Sequence, residues 1–437
     1  MGYVPHTDKN VKDMLGVIGV SSIDDLFSDI PEEVRLREAL NLPDALSEME
    51  LDAHIREIAA LNEHCLSFIG AGSYRHYIPA AVDQLASRSE FYTAYTPYQP
   101  EVSQGTLSAI FEYQSMICRL TGMDAANASL YDGATALAES VLLAARSTGR
   151  RTSVVCGAVN PLYRDVLKTY AWANGIEIVT IPSVNGLSDA DSLCAAIDDA
   201  TAAVIVQNPN FFGSVMDVKT IAEAAHGRGS LLIHVVTEPL SLALLKKPSD
   251  CGADIVCGEA AGFGNPVGFG GPCLGLLSVK DEFLRKMPGR LAGKTVDADG
   301  KESYVLTLQT REQHIRRERA TSNICSNEAH CALRAVIYLA LAGKRLRDLA
   351  AMNHSLASYL KDGLVKKGIE PLFRAPFFNE FAVRLPSAKK TMNRLKREGI
   401  LFGADLGRWY PEYGNSVLLA CTECVTPAQI DRCLELL

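Results

Sequence analysis

The chain has 437 residues, 48% of them hydrophobic and 22% charged, which is too long for one ordinary core and predicts a globular protein of two or more domains. Its formal net charge of −8 argues against nonspecific nucleic-acid binding. The longest apolar runs, such as Thr201 to Val206, fall far short of the roughly 20 residues of a membrane helix, and the N-terminus lacks the apolar core of a secretory signal. A cytoplasmic protein is expected, its 12 cysteines reduced and mostly buried.

Residues 1–62 read as a polar, helical segment. TDKNVKDMLGVIGV and MELDAHIREIAAL carry apolar residues at helical spacing, and SSIDDLF offers a serine cap before a short helix. Such short helices do not make a domain alone and are expected to pack on the rest of the chain. Residues 64–132 are rich in Gly, Tyr, Pro and Ser and predict long ordered loops, interrupted by an amphipathic helix from Thr106 to Thr121.

From 150 to 280 apolar, strand-like runs (SVVCGAV, IEIVTIP, AAVIVQNP, SLLIHVV, DIVCGE, CLGLLSV) alternate with helical stretches. Near-continuous apolar strands separated by helices imply a mostly parallel sheet covered on both faces, an α/β fold with right-handed crossovers. VDADGKESYVLTL predicts a hairpin turning at Ala298-Asp299-Gly300; it lacks the remaining ligands of a calcium loop. A long helix after Ser326 leads into a smaller α+β region. The expected division is 1–62, 63–325 and 326–437.

Individual motifs carry less. Cys421-Thr422-Glu423-Cys424 has redox spacing but reads as two thiols near a strand end. Gly70-Ala71-Gly72 does not follow a strand into a helix and is not a dinucleotide motif. His64, His76 and His314 show no metal spacing, and no metal is expected.

Three long stretches, PEVSQGTLSAIFEYQ, LTGMDAANASLYDGATALAES and TLQTREQHIRRERATSNICSN, with HTDKNVKDML and the GFGNPVGFGGP loop, resemble the alpha subunit of two-subunit glycine decarboxylase, the P-protein of the glycine cleavage system. The resemblance runs from near Tyr3 to the CTE tripeptide. It implies the type I pyridoxal-phosphate fold, a large domain around a central sheet and a smaller C-terminal domain. It also implies glycine decarboxylation, with the aminomethyl group passed to the lipoyl arm of the H-protein by a pair of homologous alpha and beta chains.

Such chemistry needs a Schiff-base lysine and an acid for the ring nitrogen. Laid on the beta-type pattern, and anchored on Lys247-Pro248 and Asp254, the acid position falls on Val235. The lysine position falls on Ala261 when anchored on Pro266 and Gly270-Gly271-Pro272, or on Gly262 when anchored on Asp254. No lysine lies between Lys247 and Lys280. Lys280 reads as a solvated surface residue, although it or Lys294 is the alternative if the chain is a self-contained pyridoxal enzyme. The expectation is therefore no covalent cofactor here and pyridoxal phosphate in the beta subunit.

Asp132-Gly133-Ala134-Thr135 stands where a cofactor-binding relative would seat phosphate; here it reads as a retained turn with Asp132 as helix cap. The loop carrying Tyr95, Thr96, Tyr98, Gln99, Glu101, Ser103 and Gln104 is the strongest functional candidate. As a buried polar loop without a local cofactor, it would complete the beta subunit's glycine or lipoyl pocket, or else stand as a structural loop satisfied by its own backbone. Arg311, Arg316, Arg317 and Arg319 read either as a solvated helix face paired with Glu312 and Glu318, or as a docking surface for the acidic H-protein or the partner. A regulatory or structural paralogue without a role in turnover is the competing function.

Overall fold

The computed structural model describes residues 5–36, 38–92, 95–324 and 326–437. Tyr3, where the resemblance begins, Thr93 and Ala94 of the tyrosine-rich loop, and Cys325 at the expected domain boundary lie outside them. The chain divides into two compact units, 1–63 and 64–437.

The first unit holds helices Asp8–Ile18 and Glu48–Ala60, each started by a capping box, Thr7 with Asn10 and Ser47 with Glu50. SSIDDLF forms a single 3-10 turn, Asp24–Phe27, in which Asp25 accepts from the Ser21 and Ser22 amides. Of this unit's described residues only Leu15 is buried, and apolar side chains such as Val17, Leu42 and Met49 are exposed.

The second unit is built on a seven-stranded sheet: β1 (Ala125–Ala126), β2 (Thr152–Cys156), β3 (Glu177–Ile181), β4 (Thr201–Gln207), β5 (Leu231–Val236), β6 (Ile255–Glu259) and β7 (Gly275–Val279). The spatial order is β1-β7-β6-β5-β4-β2-β3. β3, β2, β4, β5 and β6 are parallel, and β7 runs antiparallel to both β6 and β1. Every residue of β4, β6 and β7 is buried, as covering both faces requires. All six predicted runs became strands. The two-residue β1 gave no sequence signal.

The hairpin is present as Leu291–Val296 paired with Glu302–Thr307. Its Asp297 carboxylate accepts from the backbone amides of Asp299 and Lys301 at 2.9 and 2.8 Å, so the Asp-x-Asp-Gly is turn chemistry. No group of metal-binding side chains occurs among the described residues. Helix Ala329–Ala342 buries Cys331, Ala335 and Tyr338 in the core of the large sheet. A separate core forms around the three-stranded sheet of Glu380–Arg384, Ser416–Ala420 and Ala404–Asp405, packed by Leu360 and Leu364 of helix Leu346–Lys366 and by Ile430. Phe68 joins that core because Leu66–Ser67 pairs with Ile400–Leu401.

Candidate functional site

A cavity of about 390 Å³ lies beyond the C-terminal ends of β5 and β6, the usual place for a ligand in a parallel sheet. The N-terminus of helix Gly133–Thr148 borders it, and Tyr74, Tyr163, Thr237, Asp132, Glu259 and Ala261 line it.

The helix begins as expected at Asp132. Its Oδ1 accepts from the Thr135 amide at 2.7 Å and from the Thr135 hydroxyl at 3.0 Å. The first amide of the helix does not face the cavity freely. Gly133 N donates to Oε2 of Glu259 at 3.1 Å, while Oε1 accepts from Ala261 N at 3.0 Å and Leu274 N at 2.6 Å. Glu259 is only 9% exposed. Burial raises its carboxyl above the usual range, and the three amides offset that only in part. Gly133 is required at this approach, because a Cβ there would stand 2.1 Å from the Tyr163 hydroxyl and 2.8 Å from the Gly258 carbonyl carbon.

The two lysine-equivalent positions flank this arrangement. Ala261 lines the cavity; a Cβ on Gly262 would meet Pro239 Cγ at 2.9 Å and His76 Cδ2 at 3.1 Å. Val235 is fully buried in β5 between Gln207 of β4 and Cys257 of β6, and Thr237, two residues on, forms the wall. Lys280 is half-exposed, and its Nζ pairs with the buried Asp254, which also accepts from His226 at 2.8 Å. Lys294 pairs with Glu302 across the hairpin. Neither lysine lines the cavity.

Behind Tyr74 and Gly262 lies a buried ionic network that no sequence motif indicated. His76 stands between Glu238 and Glu423, with Nε2 and Nδ1 each 3.1 Å from a carboxylate oxygen. Burial pushes its pKa down, but the two carboxylates outweigh it and hold it at about 10. Glu238 also accepts from Asn379 at 2.9 Å and from the Leu240 amide at 3.0 Å. Glu380 accepts from the Tyr74 hydroxyl at 2.8 Å and the Ala71 amide at 2.6 Å, and burial pushes it up to about 8. His76 is thus held as a buried charge between two carboxylates rather than as a packing element. Cys421 is buried and burial raises both thiols of the CxxC pair, so neither is poised for exchange.

The tyrosine-rich loop is not the buried polar segment expected. Tyr95 is 84% exposed, Gln99 and Glu101 are exposed, and Thr96 and Ser103 are half-buried. The loop is nonetheless anchored. Arg290 Nη2 donates to the Tyr98 hydroxyl at 3.1 Å with its guanidinium over the ring, and Gln104 exchanges two 2.8 Å hydrogen bonds with the backbone of Tyr304. None of these residues lines the cavity; Tyr95 instead borders a separate space of about 220 Å³ with Phe91, Ile110 and Leu333.

The arginine cluster is also rearranged. The segment is three successive single turns, 309–311, 313–316 and 317–319, because Glu312 is extended (φ −77°, ψ 155°) and Arg317 takes a positive φ of 54°, neither of which a helix continues through. Arg316, Arg317 and Arg319 are exposed. Arg311 turns inward, donating to the Leu308 and Gly289 carbonyls at 3.1 and 2.9 Å. Glu312 pairs with Arg290 and His314, while Glu318 pairs with Arg319.

Comparison with known proteins gives this geometry its context. The family model "Glycine cleavage system P-protein" matches residues 1–437. The chain is 48% identical to a probable glycine dehydrogenase (decarboxylating) subunit 1 of Carboxydothermus hydrogenoformans, covering 100% of this chain and 99% of that one. It is 51% identical to the corresponding protein of Geotalea uraniireducens, covering 99% and 98%. Among solved structures it is similar to an inhibitor-bound glycine decarboxylase (P-protein) of the glycine cleavage system, with 44% identity, a TM-score of 0.90 and coverage of 100% and 99%. A NifS-like protein, 13% identical with a TM-score of 0.63 over 85% of this chain and 97% of that one, shows the fold alone, that of the pyridoxal-phosphate-dependent transferases. The chain therefore belongs to the glycine cleavage system P-protein family.

Proposed function

We propose that this chain is the noncatalytic first subunit of a two-subunit glycine dehydrogenase (decarboxylating), and that a homologous partner carries pyridoxal phosphate. The observation that carries this reading is the cavity itself. Among the described residues its wall contains no lysine, and the Gly133 and Thr135 amides at its helix terminus already serve Glu259 and Asp132. Pyridoxal phosphate supplies an electron sink for decarboxylation when an amine holds it and its phosphate is seated. The residues present here do not fit that group, so no step of the reaction is routed through this cavity.

The chain's own contribution then lies at its surface. Exposed tyrosines on an anchored loop suit an interface, where aromatic residues are enriched. In this reading Tyr95, Thr96, Tyr98, Gln99, Glu101, Ser103 and Gln104 belong to the segment that completes the partner's glycine or lipoyl pocket. Arg316, Arg317 and Arg319 form the basic surface that receives the acidic H-protein. Tyr95→Phe is expected to lower turnover by the mixed subunits without changing their melting temperature, since the side chain is solvent-exposed; unchanged turnover would refute its part.

The test of the function is glycine–bicarbonate exchange with lipoylated H-protein, run for this chain, its partner and the mixture. Exchange by the mixture only is expected. Exchange by this chain alone would overturn the reading, and a partner as active alone as in the mixture would favour the regulatory or structural alternative.

A further inference from the structure

We infer that Glu259 is a resident anion: its carboxylate takes the place of a phosphate at the helix terminus and shuts the cavity to phosphorylated ligands. The inference rests on the proposed function for its context but on separate observations for its substance. A helix N-terminus attracts an anion because its first amides lack partners within the helix and its dipole favours negative charge. Here the chain satisfies that demand itself, and from a distance. Glu259 ends β6, yet its Oε2 reaches Gly133 N across 126 residues of sequence. The other oxygen gathers two more amides, Ala261 N and Leu274 N, from both sides of the loop that rims the cavity.

Three convergent backbone donors around one oxygen pair make the arrangement a filled anion cup, not a chance contact. A phosphate entering the cavity would have to displace a nine-tenths-buried carboxylate whose amide partners it needs. It would also face Asp132, whose own carboxylate is committed to Thr135. Two carboxyl groups beside the entry path, one of them already holding three amides, oppose a dianion in surroundings of low dielectric, where like charges interact more strongly than in water. The cavity wall is otherwise compatible with a small ligand, since the Tyr163 hydroxyl lines it and the Tyr74 and Thr237 hydroxyls, though each already has one hydrogen bond, lie beside it. The exclusion is therefore one of charge and occupied donors, and a single side chain dominates it.

The experiment uses the full chain and two probes, inorganic phosphate and pyridoxal phosphate. Binding is read by calorimetric titration and by the ligand-dependent shift of the melting temperature. Wild type is expected to bind neither saturably. Glu259→Ala frees three amides and removes a carboxylate, and should bind phosphate at least tenfold more tightly than wild type. Glu259→Ser serves the same end if the alanine variant does not fold, its hydroxyl keeping one amide satisfied. Saturable phosphate binding by wild type, competed by pyridoxal phosphate, would overturn the inference whether or not either variant folds. Folded variants that bind no better than wild type would do so as well. Neither result depends on exchange activity, so the inference can fail while the two-subunit reading stands, and the reverse.

Discussion

Replacing His76 by leucine removes the cation held between two buried carboxylates. The side chains of His76, Glu238 and Glu423 are 2%, 2% and 5% exposed, so water cannot take over the lost interaction. Breaking a buried ion pair from one side costs roughly 3–5 kcal/mol, because the remaining charges stay desolvated and unpaired. The effect is tied to pH. His76 is held at about 10 in the folded chain against an ordinary 6.5, so its contribution to stability is full below pH 6.5 and is lost as pH rises through about 10. At about 1.4 kcal/mol per pH unit, wild type should lose on the order of 3 kcal/mol from this group between neutral pH and pH 10. His76→Leu cannot lose it. Urea unfolding of both proteins at intervals from pH 7 to pH 10 should show a gap in stability that is wide at neutral pH and narrows as the pH rises. A gap of constant width would mean that the imidazole acts by packing alone, and would refute the ionic account.

Glu380→Gln is expected to stabilise the chain at high pH. Burial holds this carboxyl at about 8 against an ordinary 4.5, so its contribution is full below pH 4.5 and lost as pH rises through 8; at about 1.4 kcal/mol per pH unit the neutral variant should exceed wild type by up to roughly 5 kcal/mol at pH 9 in urea unfolding. Gly133→Ala forces a Cβ to within 2.1 Å of the Tyr163 hydroxyl and should cost about 1–3 kcal/mol, read as a lower melting temperature. Arg290→Met removes the donor to Tyr98 at 3.1 Å, Ser326 at 3.2 Å and Asn327 at 3.3 Å. It should cost about 1–3 kcal/mol and raise amide hydrogen exchange across residues 95–103 more than elsewhere. Uniform exchange would mean that Arg290 does not anchor the loop.

The sheet was legible because its physics is local. Runs such as Thr201–Gln207 are apolar on both faces and separated by helical stretches, which leaves a covered, mostly parallel sheet as the natural outcome. The cap at Asp132 was legible for the same reason, since donor and acceptor are three residues apart. What stayed hidden depends on long-range closure. His76 meets partners 162 and 347 residues away, and no pattern around it announces either. Glu259 carried a faint signal, an acid closing an otherwise apolar strand, but its meaning required Gly133 beside it. The segment 309–319 misled because a charge-rich run at helical spacing is indistinguishable from broken turns until a positive φ at Arg317 is known. The tyrosine-rich loop was singled out for its composition, yet composition did not reveal that Tyr95 points into solvent while Tyr98 is pinned on Arg290.

The central claim is that this chain does not hold the cofactor of the reaction its family performs. The most direct measurement mixes the two purified subunits with pyridoxal phosphate, reduces the mixture with borohydride and weighs each intact chain. The account predicts a phosphopyridoxyl adduct on the partner and unchanged mass for this chain. A stoichiometric adduct on this chain, mapped to one lysine, would contradict it.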